Sequence, residues 1–222
     1  MAVRLQKIDE VNRGDHHYLD EQHRCYFLRE YTAGRNYEYG DTHNLISNLK
    51  KDMSRQGMPE WRYKLSAIRQ IAGELSCVLT DQHLRDPVFI PVPPSKVRGD
   101  PGYDPRLAQI LGLINDQRAG DLVIADCVSE TANRAAAHAH DERRPSPDVR
   151  RQTLKLDIQA LPDARYLIVF DDMMTTGSSF VAMHDLLKEA RPAAGVVGLF
   201  VARRIPPPAA EVFADIDWSE FT

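Results

Sequence analysis

The sequence predicts an α/β fold built on a doubly wound, mainly parallel sheet, and three observations support this. Short apolar runs rich in strand formers occur at Val88–Val92, Leu122–Ala125, Tyr166–Phe170 and Gly195–Ala202. Between them lie stretches with helical periodicity, and strands that alternate with helices pair in parallel. Finally, the run Leu167–Phe170 ends in two carboxylates and a small-residue turn that leads into a helix. Open α/β sheets bind ligands at such strand ends.

Taken in order, residues 1–22 form a polar segment expected to be poorly ordered. Residues 23–80 are expected to hold a hairpin and helices that could serve as a lid. Within them Cys25–Tyr31 reads as a strand, Thr32–Asn36 as a turn containing Gly34, and Tyr37–Tyr39 as a returning strand. Thr42 is placed to cap a short helix with Leu45, Ile46, Leu49 and Met53 on one side. Pro59 opens a longer helix whose stripe is Trp61, Leu65, Ile68, Ala72, Leu75 and Leu79.

Residues 81–205 are expected to form the core. The strand Val88–Val92 runs into Pro93-Pro94, and Asp104-Pro105 starts a helix carrying Leu107, Ile110, Leu111 and Ile114. The Arg-rich stretch Ser129–Gln152 reads as a mobile loop that could begin with a helix through Ala135–Ala137. Ser178–Ala190 is a helix with Phe180, Met183, Leu187 and Ala190 on one face. Pro206-Pro207-Pro208 ends the core and leaves 206–222 as a tail.

Composition narrows the function classes. Hydrophobic residues make up 43%, enough for a substantial core. The formal charge of −4 gives no general nucleic-acid surface, so nucleic acid as a partner is unsupported by charge. Cys25, Cys77 and Cys127 form no CxxC pair, hence no zinc ribbon and no disulfide framework. No run approaches the roughly 20 apolar residues of a membrane span and no signal core opens the chain. The expectation is a cytoplasmic protein.

The chemistry concentrates in Leu167–Ser179. An acid pair alone would read as a solvated strand end. Here Asp171 and Asp172 follow a buried strand and precede Thr175-Thr176-Gly177-Ser178-Ser179. That turn offers backbone N–H groups, hydroxyls and a helix N-terminus, which together suit a phosphate. Carboxylates beside a phosphate are reconciled if they accept hydrogen bonds from sugar hydroxyls, as acids do for ribose in dinucleotide folds. No Walker lysine follows the glycine, which argues against an ATPase.

These thirteen residues resemble the signature with which type I phosphoribosyltransferases bind 5-phosphoribosyl-1-diphosphate (PRPP). The resemblance implies that Asp171 and Asp172 contact the ribose hydroxyls and that Thr175, Thr176, Gly177, Ser178 and Ser179 cradle the 5-phosphate. It implies the type I fold, and Mg²⁺ carried in with PRPP and touched only indirectly by Asp171 and Asp172. A looser similarity to the ComF-type branch rests on Tyr37-Glu38-Tyr39-Gly40, Leu45-Ile46, Lys50 and Ile90-Pro91-Val92-Pro93. That branch's zinc-binding cysteines are absent, and its Arg-Gly-Phe-Asn stretch appears here only as Arg98-Gly99 followed by Asp100-Pro101-Gly102-Tyr103.

By the same resemblance, Ser95, Lys96 and Arg98 stand where the pyrophosphate loop belongs. Arg134, Arg143, Arg144, Arg150 and Arg151 are candidates from a flexible loop that closes over the ligand. An ordinary surface turn and a solvated charged loop are the alternatives. His138 and His140, like His16 and His17, read as ordinary polar residues. The implied activity is transfer of phosphoribosyl from PRPP to an unknown small-molecule acceptor with release of pyrophosphate. The alternatives are a non-catalytic PRPP or nucleotide sensor and a ComF-like accessory in DNA processing. A homodimer is compatible with either.

Overall fold

In the computed structural model, which describes residues 3–81, 83, 86–118, 122–134 and 145–208, the apolar runs lie side by side. The strands are β1 (Gln6–Lys7), β2 (Arg24–Thr32), β3 (Val88–Pro91), β4 (Val123–Ile124), β5 (Val128–Glu130), β6 (Leu154–Leu156), β7 (Tyr166–Met174) and β8 (Gly195–Ile205). Six of them form one sheet in the order β1-β2-β8-β7-β3-β4, parallel throughout except where β1 meets β2. Strands β5 and β6 form a separate antiparallel ribbon.

The strands β7 and β8 sit in the middle because their sequences suit burial on both faces. Leu167, Val169, Phe170, Phe200, Val201 and Ala202 are almost wholly buried, the near-continuous apolar run expected of interior parallel strands. Helices α1 (Asp41–Leu49), α2 (Trp61–Val78), α3 (Arg106–Gln117), α4 (Pro147–Gln152) and α5 (Ser178–Ala190) accompany the sheet. The span of α5 matches its sequence expectation. Among the described residues no helix is long and apolar enough to cross a membrane.

Four expectations need correction. The hairpin does not form: Tyr37–Tyr39 lies in a turn, and β2 instead pairs in parallel with β8, from Arg24 opposite Val197 to Thr32 opposite Ile205. Strand β2 therefore belongs to the main sheet. The N-terminal segment is also folded. Ile8, His16 and Leu19 are buried, and the Ile8 N–H donates to the Cys25 carbonyl at 2.9 Å. Its polar composition concealed three well-spaced anchors.

In α2 the buried face is Lys64, Ala67, Ile68, Ile71, Ala72 and Leu75, whereas Leu65 is exposed. The stripe is displaced because Lys64 finds partners inside. Its Nζ donates to the carbonyls of Leu49 and Lys51 and to Asp104 Oδ2, at 2.7, 3.0 and 2.6 Å. Finally, the Arg-rich stretch is ordered at both ends. The ribbon β5-β6 holds it, and α4 is started by Ser146, whose Oγ accepts the Val149 N–H, with Pro147 next. The expected helix at Ala135–Ala137, together with His138, His140, Arg143 and Arg144, lies outside the described residues.

Chain order places the functional end. From β3 the chain passes through α3 to β4 on one side, and from β7 through α5 to β8 on the other. The strand order reverses between β3 and β7, and a crevice opens at their C-terminal ends, where ligands bind in open α/β sheets.

Candidate functional site

A cleft of about 390 Å³ occupies that crevice. Its walls are the loop Pro93–Ser95 after β3, the segment Asp171–Ser179, Lys50 at the end of α1, Arg106 at the start of α3, and Arg134 and Arg150. Four sequence-distant segments thus converge on the predicted signature.

The two acids occupy different environments because neighbours on a strand project to opposite faces. Asp172 is buried, and both its oxygens are engaged. Arg106 Nε and Nη2 donate to Oδ2 at 2.9 and 2.7 Å, and Lys50 Nζ pairs with Oδ1 at 2.9 Å. Burial alone would raise its pKa, but Lys50 and Arg106 outweigh this and hold the carboxyl well below the usual range. Asp171 is half-buried. Its Oδ1 accepts the Asp172 N–H at 2.7 Å, and no other donor reaches it among the described residues. Burial and the neighbouring Asp172 charge push its carboxyl up to about 6.

Asp172 is one link in a longer chain of charge. Arg106 Nη1 also donates to Asp104 Oδ2 at 2.7 Å, and Asp104 in turn takes the buried Lys64. The order Lys64–Asp104–Arg106–Asp172–Lys50 alternates three cations with two carboxylates, and the cleft walls set Lys50, Arg106, Arg134 and Arg150 against Asp52, Asp104, Asp171 and Asp172. Burial works against the Arg106 charge, yet Asp172 and Asp104 keep it protonated.

The turn after β7 is tied down by its carbonyls. His16 Nδ1 donates to the Thr175 carbonyl at 2.5 Å, and the Tyr18 N–H donates to the Thr176 carbonyl at 2.8 Å. Burial lowers the His16 pKa, so the neutral ring carries its proton on Nδ1. The N–H groups of Thr176 and Gly177 have no protein acceptor among the described residues; the N-cap Gly177 offers α5 no side chain, and the Ser178 N–H donates to Thr176 Oγ1 at a long 3.5 Å. Gly177 has φ +88°, and a Cβ there would lie 2.9 Å from Leu19 Cδ2. The close approach that requires glycine is therefore to the N-terminal segment. Ser178 Oγ donates to the Pro145 carbonyl at 2.5 Å, so that hydroxyl is already engaged.

The remaining sequence candidates divide. Ser95 lines the cleft, and its carbonyl accepts the Arg134 N–H at 3.0 Å. Lys96 packs beside Gly102, and Arg98 pairs with Asp126, neither at the cleft wall. Arg134 and Arg150 reach the cleft, both held by Glu130: Arg134 Nε donates at 2.8 Å, and the Arg150 fork donates at 3.0 and 2.6 Å. Arg151 turns away to Glu189 on α5.

Sequence reasoning passed over Arg106 and Asp104 as site residues and quoted Lys50 only as part of a resemblance. A signal existed for Arg106. A cation in the first turn of a helix opposes the helix dipole, so it implies a compensating carboxylate nearby. No family model matches the chain, and a search of curated proteins finds no significant match.

Proposed function

We propose that this cleft binds PRPP and that the chain is a phosphoribosyltransferase-like protein of the type I fold. It would transfer the phosphoribosyl group to a small-molecule acceptor and release pyrophosphate. The observation that carries the reading is the turn Thr175–Ser179, whose carbonyls are tied behind it while the N–H groups of Thr176 and Gly177 have no protein acceptor. An anion is the natural partner for such a turn at the start of a helix.

In this reading the acids have separate roles. Asp171 has a spare oxygen and accepts from a ribose hydroxyl. Asp172 holds Arg106 and Lys50 in place, and those cations offset the ligand's negative charge. Ser95, Arg134 and Arg150 face the pyrophosphate end, and α1 with Lys50 and Asp52 forms the wall that serves as a lid. Attack on the anomeric carbon breaks its bond to the pyrophosphate oxygen. Fixed cations stabilise the charge that builds on the leaving group.

The donor set suits Mg²⁺ delivered by the ligand. Asp171 is a cleft carboxylate with an open oxygen, and Mg²⁺ keeps several waters while using one or two carboxylates. Bound there, it would neutralise diphosphate charge.

Calorimetry with PRPP, with and without Mg²⁺, together with pyrophosphate release across a panel of bases and amines, tests the proposal. Mg²⁺-dependent binding with turnover is expected. Binding without turnover on any acceptor would identify a sensor, and absence of binding would refute the assignment.

A further inference from the structure

In a trans peptide the C=O and N–H bonds point in opposite directions. The Thr175 carbonyl shares its peptide with the Thr176 N–H, and the Thr176 carbonyl shares its peptide with the Gly177 N–H. Both carbonyls are held from behind, the first by His16 Nδ1 at 2.5 Å and the second by the Tyr18 N–H at 2.8 Å. Each backing bond therefore turns one N–H away from the N-terminal segment. These are the same two N–H groups that lack a protein acceptor among the described residues, and their residues line the cleft.

For packing alone, histidine is a poor choice at position 16. The residue is 1% exposed, its Nε2 is buried without a partner, and the bond to Thr175 is the ring's one hydrogen bond among the described residues. A buried polar atom left unpaired costs stability, and an apolar side chain would fill the space without that cost. What histidine adds is the Nδ1–H. The segment that carries it is fixed on either side. Asp15 Oδ2 accepts from Arg203 Nη1 at 2.7 Å, and Arg203 lies opposite Met174, the residue before the turn. Leu19 packs against Gly177, so closely that a Cβ there would lie 2.9 Å from Leu19 Cδ2.

We propose that His16 is a positioning residue for phosphate binding. Its Nδ1–H fixes the Thr175–Thr176 peptide so that the Thr176 N–H meets the terminal phosphate of a sugar phosphate, and the Tyr18 backbone does the same for Gly177. The role rests on the reading of the cleft given above. It adds that affinity for the phosphate end is set from the N-terminal segment, 159 residues before the carbonyl that His16 holds. The pyrophosphate end, faced by Ser95, Arg134 and Arg150, does not depend on it.

The test is calorimetry of the full chain with ribose 5-phosphate and, separately, with inorganic pyrophosphate and Mg²⁺. His16→Leu should weaken ribose 5-phosphate binding about 10–100-fold, the worth of one hydrogen bond to a charged group, and leave pyrophosphate affinity unchanged. His16→Asn, whose Nδ2 can stand where Nδ1 does, should recover most of the loss. On the wild type, ¹⁵N spectra of the ring at pH 7.5 should show the neutral Nδ1–H tautomer, which gives a reading even if His16→Leu misfolds. An Nε2–H tautomer, wild-type ribose 5-phosphate affinity in His16→Leu, or equal loss of both ligands would overturn the role of His16 and leave the reading of the cleft standing. A wild type that binds neither ligand would overturn both.

Discussion

Arg106 places two nitrogens on one oxygen of Asp172, at 2.9 and 2.7 Å, while Lys50 takes the other oxygen. The pairing makes Asp172 a structural residue as well as a site residue. Asp172→Asn would leave two cations facing each other without their shared carboxylate. Removing one member of a buried ion pair costs about 3–5 kcal/mol, and the partial exposure of Lys50 argues for the lower end. Asp171→Asn removes a charge that burial already disfavours, so it should leave stability unchanged or slightly higher at pH 7. Urea unfolding of the two single variants checks this, and equal midpoints would contradict the division of roles. Both should lose PRPP affinity.

Arg106 itself should behave like its partner. Arg106→Met deprives Asp172 and Asp104 of their common cation and is expected to destabilise the fold by about 3 kcal/mol. Arg106→Lys keeps the charge but loses the fork, so it should recover only part of that stability. A full recovery would show that charge alone matters.

The contrast between what could and could not be read from the sequence follows from distance along the chain. Helix α5 and the strands β3 and β7 were legible because their apolar periodicity and flanking breakers are local. The signature was legible for the same reason, being thirteen consecutive residues. The stripe of α2 was misread because the burial of Lys64 depends on carbonyls of Leu49 and Lys51 and on Asp104. The pairing of β2 with β8 joins residues 24–32 to 197–205, and no local signal distinguishes it from a hairpin. Likewise, nothing in a polar N-terminal segment announces that His16 and Tyr18 will hold a turn more than 150 residues away.

Gly177 and Leu19 should be energetically coupled. Gly177→Ala forces a Cβ to 2.9 Å from Leu19 Cδ2 and into a left-handed backbone at φ +88°. The conformational part costs about 1 kcal/mol, and the clash adds to it. Leu19→Ala alone opens a cavity and destabilises. Combined, the two should cost less than the sum, because the clash disappears while the backbone strain remains. A double-mutant cycle by urea unfolding measures the difference. Strict additivity would mean that the two side chains do not meet.

His16 should make stability fall in mild acid. Burial depresses its folded-state pKa below the ordinary 6.5. Above 6.5 the ring is neutral whether the chain is folded or not. As pH drops through 6.5 the unfolded chain takes a proton that the folded chain refuses, so stability declines until the folded ring titrates. The slope can reach about 1.4 kcal/mol per pH unit for one group. His16→Gln, measured with EDTA present at pH 7.5 and pH 5.5, should show a smaller loss than the wild type. An identical loss in both would exclude His16 as a source.

Asp171 has the opposite sign and reports on the ligand. Its folded pKa is raised to about 6 from an ordinary 3.8, so its contribution to stability is greatest below 3.8 and is lost as pH rises through about 6. At pH 6 a substantial fraction of folded molecules carries a proton on this carboxyl. A ribose hydroxyl donating to Asp171, or a cation approaching it, favours the carboxylate and lowers that pKa. Binding of Mg²⁺ and PRPP should therefore expel protons near pH 6, and affinity should increase between pH 5 and 7. Calorimetry in two buffers of different ionisation enthalpy counts the protons released. Asp171→Asn should abolish the release, whereas a wild-type release that persists in Asp171→Asn would assign it to another group.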